Sequence, residues 1–283
     1  MSKSFDDLVH IMARLRAPGG CPWDRKQTHE TLKPYLLEEA YEVLEAIDHG
    51  RTPQLREEMG DLLLQVIFHA QIAAESGTFT IDDVIQRLAD KLVRRHPHVF
   101  GGAEEQDKAK NADEVYARWE QIKRAEREES GELRSALDGV PKTLPALLRA
   151  YQIQARASRV GFDWPKLDEV LKKLDEELGE WREAMAHAEG CDGDPATARR
   201  VEDELGDVLF TLVNAARFLK VNPEDTLRRT VDRFIERFQH VEAAARSSGR
   251  DLNKMTLAEM DELWEQAKKM TPKGGGCSNE PSS

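Results

Sequence analysis

Cysteine is scarce in this chain. Cys21, Cys191 and Cys277 stand far apart and no two form a CxxC pair. The pattern supports neither a disulfide framework nor a zinc site, and a reducing cytoplasm is the expected setting. Aromatic residues make up only 6% of the sequence. No apolar run approaches the ~18 residues of a membrane span, and the N-terminus has no apolar signal region. Alternating runs of Val, Ile, Thr and aromatics are few, so strands are expected to be scarce. Basic charge is in deficit, with 41 Lys and Arg against 53 Asp and Glu and a formal net charge of −12. Such a surface argues against nucleic acid as the main partner. It is compatible with phosphorylated small molecules, provided a metal ion brings the positive charge.

Charge and helix formers are abundant. A third of the residues are charged (33%), and 40% apolar residues are enough to fill a core. Stretches rich in Glu, Lys, Arg, Ala and Leu favour helix, and 283 residues suit one large or two ordinary domains. The periodicity predicts helices over roughly 5–16, 29–48, 54–75, 81–95 and 111–128. In the second half it predicts them over roughly 143–159, 166–188, 196–219, 224–247 and 256–269. Stop and start signals separate them: "APGGCPWD", "HGRTP", "SGTFTIDD", "GFDWP", "EGCDGDP" and "VNPED". The expected fold class is all-α. A linker falls around "ESGELRSALDGVPKTLP", and the tail "TPKGGGCSNEPSS" is expected to be disordered.

Four blocks recur in the same order in the two halves. "LLEEAYEVLEA" resembles "LDEELGEWREA", and "REEMGDLLLQV" resembles "VEDELGDVLFTL". "KLVRRHPHVF" resembles "RFIERFQHVE", and "VYARWEQIK" resembles "MDELWEQAKK". An internal duplication of a helical module explains this better than chance. The longer spacing from Glu180 to Glu204 than from Glu42 to Glu58 fits a longer loop at "AEGCDGDP".

Each module carries ExxE on one helix and ExxD on the next: Glu39, Glu42, Glu58 and Asp61, then Glu177, Glu180, Glu204 and Asp207. The i,i+3 spacing puts both acids of a pair on one helix face. Short connections make the two helices antiparallel neighbours, so four carboxylates can converge on one seam. Glu204 and Asp207 flank the expected apolar stripe of Leu205, Val208, Leu209 and Leu212. Like charges there repel and are costly to desolvate without a cation. A hard divalent ion with oxygen ligands fits, Mg²⁺ best if a phosphate completes its shell. A single ExxE on a helix is usually a solvated face; the pairing and its repetition favour metal binding. Gly60 and Gly206 stand among the acids and would let a backbone or ligand come close.

At these residues the chain resembles the MazG family of nucleoside triphosphate pyrophosphohydrolases. The resemblance rests on "CPWDRKQTHETLKPYLLEEAYE", "EEMGDLLLQV", "RRHPHVF" and "VGFDWP" with "EELGE" and "DELGDVLF", and it spans about 1–270. It implies tandem all-α helical-bundle domains at 1–130 and 143–270, joined by a linker at 131–142 and followed by the tail at 271–283. It also implies a homodimer and Mg²⁺-dependent hydrolysis of a nucleoside triphosphate to the monophosphate and pyrophosphate, with Mn²⁺ as a substitute ion. Glu177, Glu180, Glu204 and Asp207 are then the metal ligands, with Glu39, Glu42, Glu58 and Asp61 as a weaker second set. Nucleotide contacts map onto Lys173, Glu176, Arg200, Asp203, Arg233, Arg237 and Trp264. Lys173 and Arg200 would offset charge in the reaction, and Glu176 is the candidate general base. Trp164, in "GFDWP", is a further candidate for stacking on a base; a tryptophan is otherwise more often core.

Comparing the halves ranks them. Tyr35 stands opposite Lys173 and Gln54 opposite Arg200, while Lys91, Arg95 and Trp119 match Arg233, Arg237 and Trp264. The first half keeps four acids but lacks two cations, so it is expected to bind metal and catalyse weakly or not at all. His96 and His98 have one counterpart, His240, and are read as packing or capping residues rather than ligands. Cys21 is read as structural. Competing readings are a non-catalytic helical partner-binding regulator and a narrower dUTP-type or phosphoribosyl-ATP-type hydrolase. The full cation set of the second half disfavours the first, and the "CPWDRKQTH" block disfavours the others.

Overall fold

A computed structural model describes residues 3–102, 111–129, 135–189 and 194–270, and every regular element among them is helical. The expectations about the tail, the "EGCDGDP" loop with Cys191, and the start of the linker fall on residues outside that set. The chain divides into two compact units, Met1–Glu129 and Ser130–Ser283. The fold is all-α, as the periodicity predicts.

The first unit contains α1 (Phe5–Arg16), α2 (Pro22–Lys26), α3 (Lys33–Asp48), α4 (Thr52–Glu75), α5 (Ile81–Arg95), α6 (Pro97–Phe100) and α7 (Ala112–Glu129). Local signals set the boundaries. Ser4 and Asp7 form a reciprocal capping box on α1, and Thr80 and Asp83 repeat it on α5. Gly50, at φ 62°, closes α3 and allows the tight turn into α4. The core joins Met12, Leu32, Ile67 and Phe68, with Phe5, Val9 and Ile72 packed around them. Arg16 ties α1 to α4 through a salt bridge to Glu75 at 2.7 Å. The "CPWD" block forms α2, which the periodicity misses because it is a single short turn begun by a proline. Trp23 sets its edge against Phe68 and Tyr35. Gly20 is obligatory in the preceding turn, because a Cβ there would lie 2.2 Å from the Leu15 carbonyl oxygen.

The predicted helix over 29–48 begins at Lys33, with Pro34 in its first turn. Residues 28–31 instead form a local turn held by Thr28 and Thr31, each donating its backbone N–H to the other's hydroxyl. Hydroxyl side chains offer the backbone that alternative to helix.

The second unit contains α8 (Ala146–Arg159), α9 (Leu167–Glu189), α10 (Pro195–Phe218), α11 (Pro223–Ser247), a 3-10 turn (Leu252–Lys254) and α12 (Leu257–Met270). Helices α9 and α10 pack as a hairpin, as α3 and α4 do in the first unit. Val170, Ala184, Val208 and Val213 are buried on the α9–α10 hairpin, and Val241, Ala245, Leu263 and Ala267 on α11 and α12. Gln154 on α8 donates to the Phe210 carbonyl at 2.8 Å, fastening α8 to α10. The expected apolar stripe is only partly internal. Val208 is buried, but Leu205, Leu209 and Leu212 are exposed, because α10 turns its Val208–Thr211–Ala215 face inward instead. No helix among the described residues is long and apolar enough to cross a membrane.

Candidate active site

The second hairpin brings three of the four acids together. Glu177 and Glu180 on α9 and Glu204 on α10 each offer a carboxylate oxygen within 4.8 Å of the other two. The i,i+3 pairing on α9 puts both acids on the face that meets α10. Glu177 is only 7% exposed, an unusual place for a carboxylate. Glu180 is pushed above the ordinary carboxylate range by sharing a hydrogen bond with Glu177, then by burial and by the Glu177 charge, with Glu204 adding to the effect. Three acids so close cannot all ionise freely without a cation. Hard oxygen donors at this spacing are what a hard divalent ion takes.

Lys173 answers part of that charge. Its ammonium lies 2.6 Å from Glu176 and 3.0 Å from Glu177, one turn along α9. Those bonds hold it firmly protonated, well above the usual lysine range. Arg200 approaches Glu204 at 3.8 Å from the turn before it on α10. Lys173, Glu176, Glu177, Glu180, Arg200 and Glu204 thus form one linked group. Asp207 lies a turn beyond Glu204, is exposed, and stands outside the close triplet; Asp203 is exposed beside Glu204.

Of the remaining candidates, Arg237 and Trp264 meet between α11 and α12. Phe234 packs against Trp264 at 5.0 Å, and the Arg237 guanidinium lies 6.0 Å from the same ring. Arg237 is 8% exposed, whereas Arg233 is half-buried and donates to Thr230 at 2.8 Å. Trp164 is exposed in its loop. The sequence reading missed what fixes that loop: Arg217 forms an ion pair with Asp163 and bonds Asn214 on its own helix. An acid beside the "GFDWP" tryptophan and a distant arginine carry no periodic signal to join them.

The first unit repeats the geometry with fewer cations. Glu39, Glu42 and Glu58 also lie within 4.8 Å of one another. Burial raises the Glu39 pKa first, followed by the Asp61 and Glu42 charges, and Glu42 is raised by burial and by Glu58. Gln54 donates to Glu58 at 3.3 Å, from the position that Arg200 takes beside Glu204. Tyr35, opposite Lys173 in the repeat, packs on Trp23. His96 binds the Leu92 carbonyl at 2.6 Å, a helix-end contact. Among the described residues, only the two carboxylate triplets form metal-capable groups of three or more His, Cys, Asp or Glu. Among the described residues no backbone makes the close approach expected at Gly60 and Gly206, since a Cβ at either would meet nothing within 4 Å.

Fold and site together define an all-α protein of two units, each built on a helical hairpin with a carboxylate cluster at its seam. The chain belongs to the MazG family: the MazG nucleotide pyrophosphohydrolase domain model matches residues 27–100 and again 166–242. It is 48% identical over 265 residues to the nucleoside triphosphate pyrophosphohydrolase/pyrophosphatase MazG of Thermotoga maritima, covering 93% of this chain and 95% of that one. It is 45% identical over 270 residues to the nucleoside triphosphate pyrophosphohydrolase of Escherichia coli K12, covering 94% and 97%. A protein of that name from Mycobacterium tuberculosis is 43% identical over 157 residues, 55% of this chain and 45% of that one.

Proposed function

We propose that this chain hydrolyses nucleoside triphosphates to the nucleoside monophosphate and pyrophosphate, and that the second unit does most of the work. The observation that carries the reading is the Glu177–Glu180–Glu204 cluster with Lys173 and Arg200 against it, in a chain whose relatives bear that activity in their names. These carboxylates, with Asp207 a turn away, fit Mg²⁺, and Mn²⁺ as its substitute, by donor type and spacing. When bound, the cation supplies Lewis-acid neutralisation of phosphate charge and makes water more acidic.

The chain's own groups do the rest by position and charge. Lys173 and Arg200, now paired with acids, can turn to phosphate oxygens and offset the charge that develops there. As Lys173 turns, Glu176 loses its partner and becomes the candidate to take a proton from the water that attacks the α-phosphorus. Arg233 and Arg237 would steady the departing pyrophosphate. Trp264 and Trp164 offer ring faces to the base, a contact that tolerates several bases, and Asp203 completes the substrate contacts. The first unit holds a cation at Glu39, Glu42, Glu58 and Asp61 but lacks the lysine and arginine, so it catalyses weakly.

The working form is a homodimer. Met59, Leu63 and Val66 on α4 are exposed, and so are their counterparts Leu205, Leu209 and Leu212 on α10. The same apolar face left uncovered beside the acids in both copies suits a second copy of this chain. The function is tested by following products from a panel of canonical, deoxy and oxidised nucleoside triphosphates. Equal monophosphate and pyrophosphate, abolished by EDTA, is the expected result. Diphosphate with orthophosphate, or no turnover of any of them, contradicts the proposal.

A further inference from the structure

Arg95 in the first unit and Arg237 in the second occupy matching places in the repeat, as do Trp119 and Trp264. The structure preserves the match: the guanidinium lies 5.4 Å from the Trp119 ring in one unit and 6.0 Å from the Trp264 ring in the other. A further residue breaks the symmetry. "WEQIKRAE" ends on Glu126, where "WEQAKKMT" ends on Thr271. Glu126, on α7, bridges Arg95 and Arg94 on α5. Its Oε2 accepts from Arg95 Nη2 at 2.6 Å and from Nε at 3.1 Å, and its Oε1 accepts from Arg94 Nε at 2.6 Å.

Two N–H groups of one guanidinium thus converge on a single carboxylate oxygen while a second arginine takes the other, a charge-assisted arrangement that a phosphate group could also accept. The Arg95 and Glu126 side chains are 15% and 21% exposed, so this pair is not a loose surface contact. Lys123 adds its ammonium 4.6 Å from the Trp119 ring. The surroundings are therefore cationic and aromatic, suited to an anion attached to a planar group, and an internal carboxylate already fills them.

We propose that Glu126 occupies the phosphate position of the first unit, and that removing its charge opens a second site on this chain for the phosphates of a nucleoside triphosphate. This rests on the reading that Arg237 and Trp264 hold nucleotide in the second unit. The lowered pKa of Glu126, about 2, agrees with so tight an embrace. The missing lysine and arginine beside the first acidic cluster would limit catalysis; Glu126 would limit binding before that.

The test is calorimetric titration of the full chain with the α,β-methylene analogue of ATP and Mg²⁺, comparing wild type with Glu126→Gln, which keeps shape and removes charge. One binding event per chain in wild type and two in the variant is the expected result. One in both, or two in wild type, overturns the proposal. None in wild type and one in the variant would support this site while removing the assigned site of the second unit; none in either removes both. A readout without any variant is the Arg95 Nε resonance of wild type. It should not move with saturating analogue, and a shift would show that Glu126 masks nothing.

Discussion

At Gly206 a methyl group could be added without touching any atom within 4 Å. Alanine there should stabilise the helix by about 0.5–1 kcal/mol, yet glycine stands beside the acids in both copies. The proposed reason lies outside the single chain, in a ligand or in the second copy. Gly206→Ala is therefore expected to raise the melting temperature and lower kcat/KM; a rise in both would remove that reason. Gly20 is the opposite case, because its missing side chain makes room for the Leu15 carbonyl inside the unit. Lys173 sharpens the same scale. Its ammonium is bonded directly to Glu177, and Lys173→Ala is expected to reduce kcat/KM by roughly 10²-fold or more. A change confined to KM would assign it to uniform binding rather than to the reaction.

Between elements, the contact of α7 with α5 rests on the Glu126 pair and on Trp119. Hydrogen bonds from Arg95, outweighing burial, and then those from Arg94 hold the Glu126 carboxyl down from 4.5 to about 2. Between those values the folded state binds fewer protons than the unfolded state, so stability rises with pH there. The contribution is fully present above about pH 4.5 and is lost as the pH falls toward 2. Acid unfolding followed by circular dichroism should show that loss in wild type, and Glu126→Gln should flatten it. An unchanged slope would mean that the pair does not contribute.

The long helices are legible because each carries a long apolar period between polar or proline-bearing breaks; the short α2 and α6 are not. Capping pairs such as Thr80 and Asp83 lie within one turn and mark their own boundaries. The acidic triplets were legible because an i,i+3 pair and a short hairpin leave little freedom in where they meet. The Glu126–Arg95 pair and the Asp163–Arg217 pair were not, since each joins residues far apart in sequence with nothing periodic between them. The outward face of Leu205, Leu209 and Leu212 was misplaced for another reason. Periodicity says that a stripe must be covered, but not whether the cover comes from the same chain.

For the whole molecule, that uncovered stripe sets the expected assembly. Light scattering should give twice the 32.1 kDa chain mass, and Leu209→Glu, a charge in the middle of the stripe, should shift it toward the monomer. A wild-type monomer at micromolar concentration would contradict the dimer. Divalent cations should also raise the melting temperature, since a ligand that binds only the folded state stabilises it and the acids of both clusters repel without one. The division of labour between the two clusters is the centre of the proposal. The most direct measurement is pyrophosphate release by Glu204→Ala and Glu58→Ala, each checked for cooperative unfolding. Glu204→Ala should abolish release while Glu58→Ala keeps most of it. Loss in Glu58→Ala with activity retained in Glu204→Ala would contradict it.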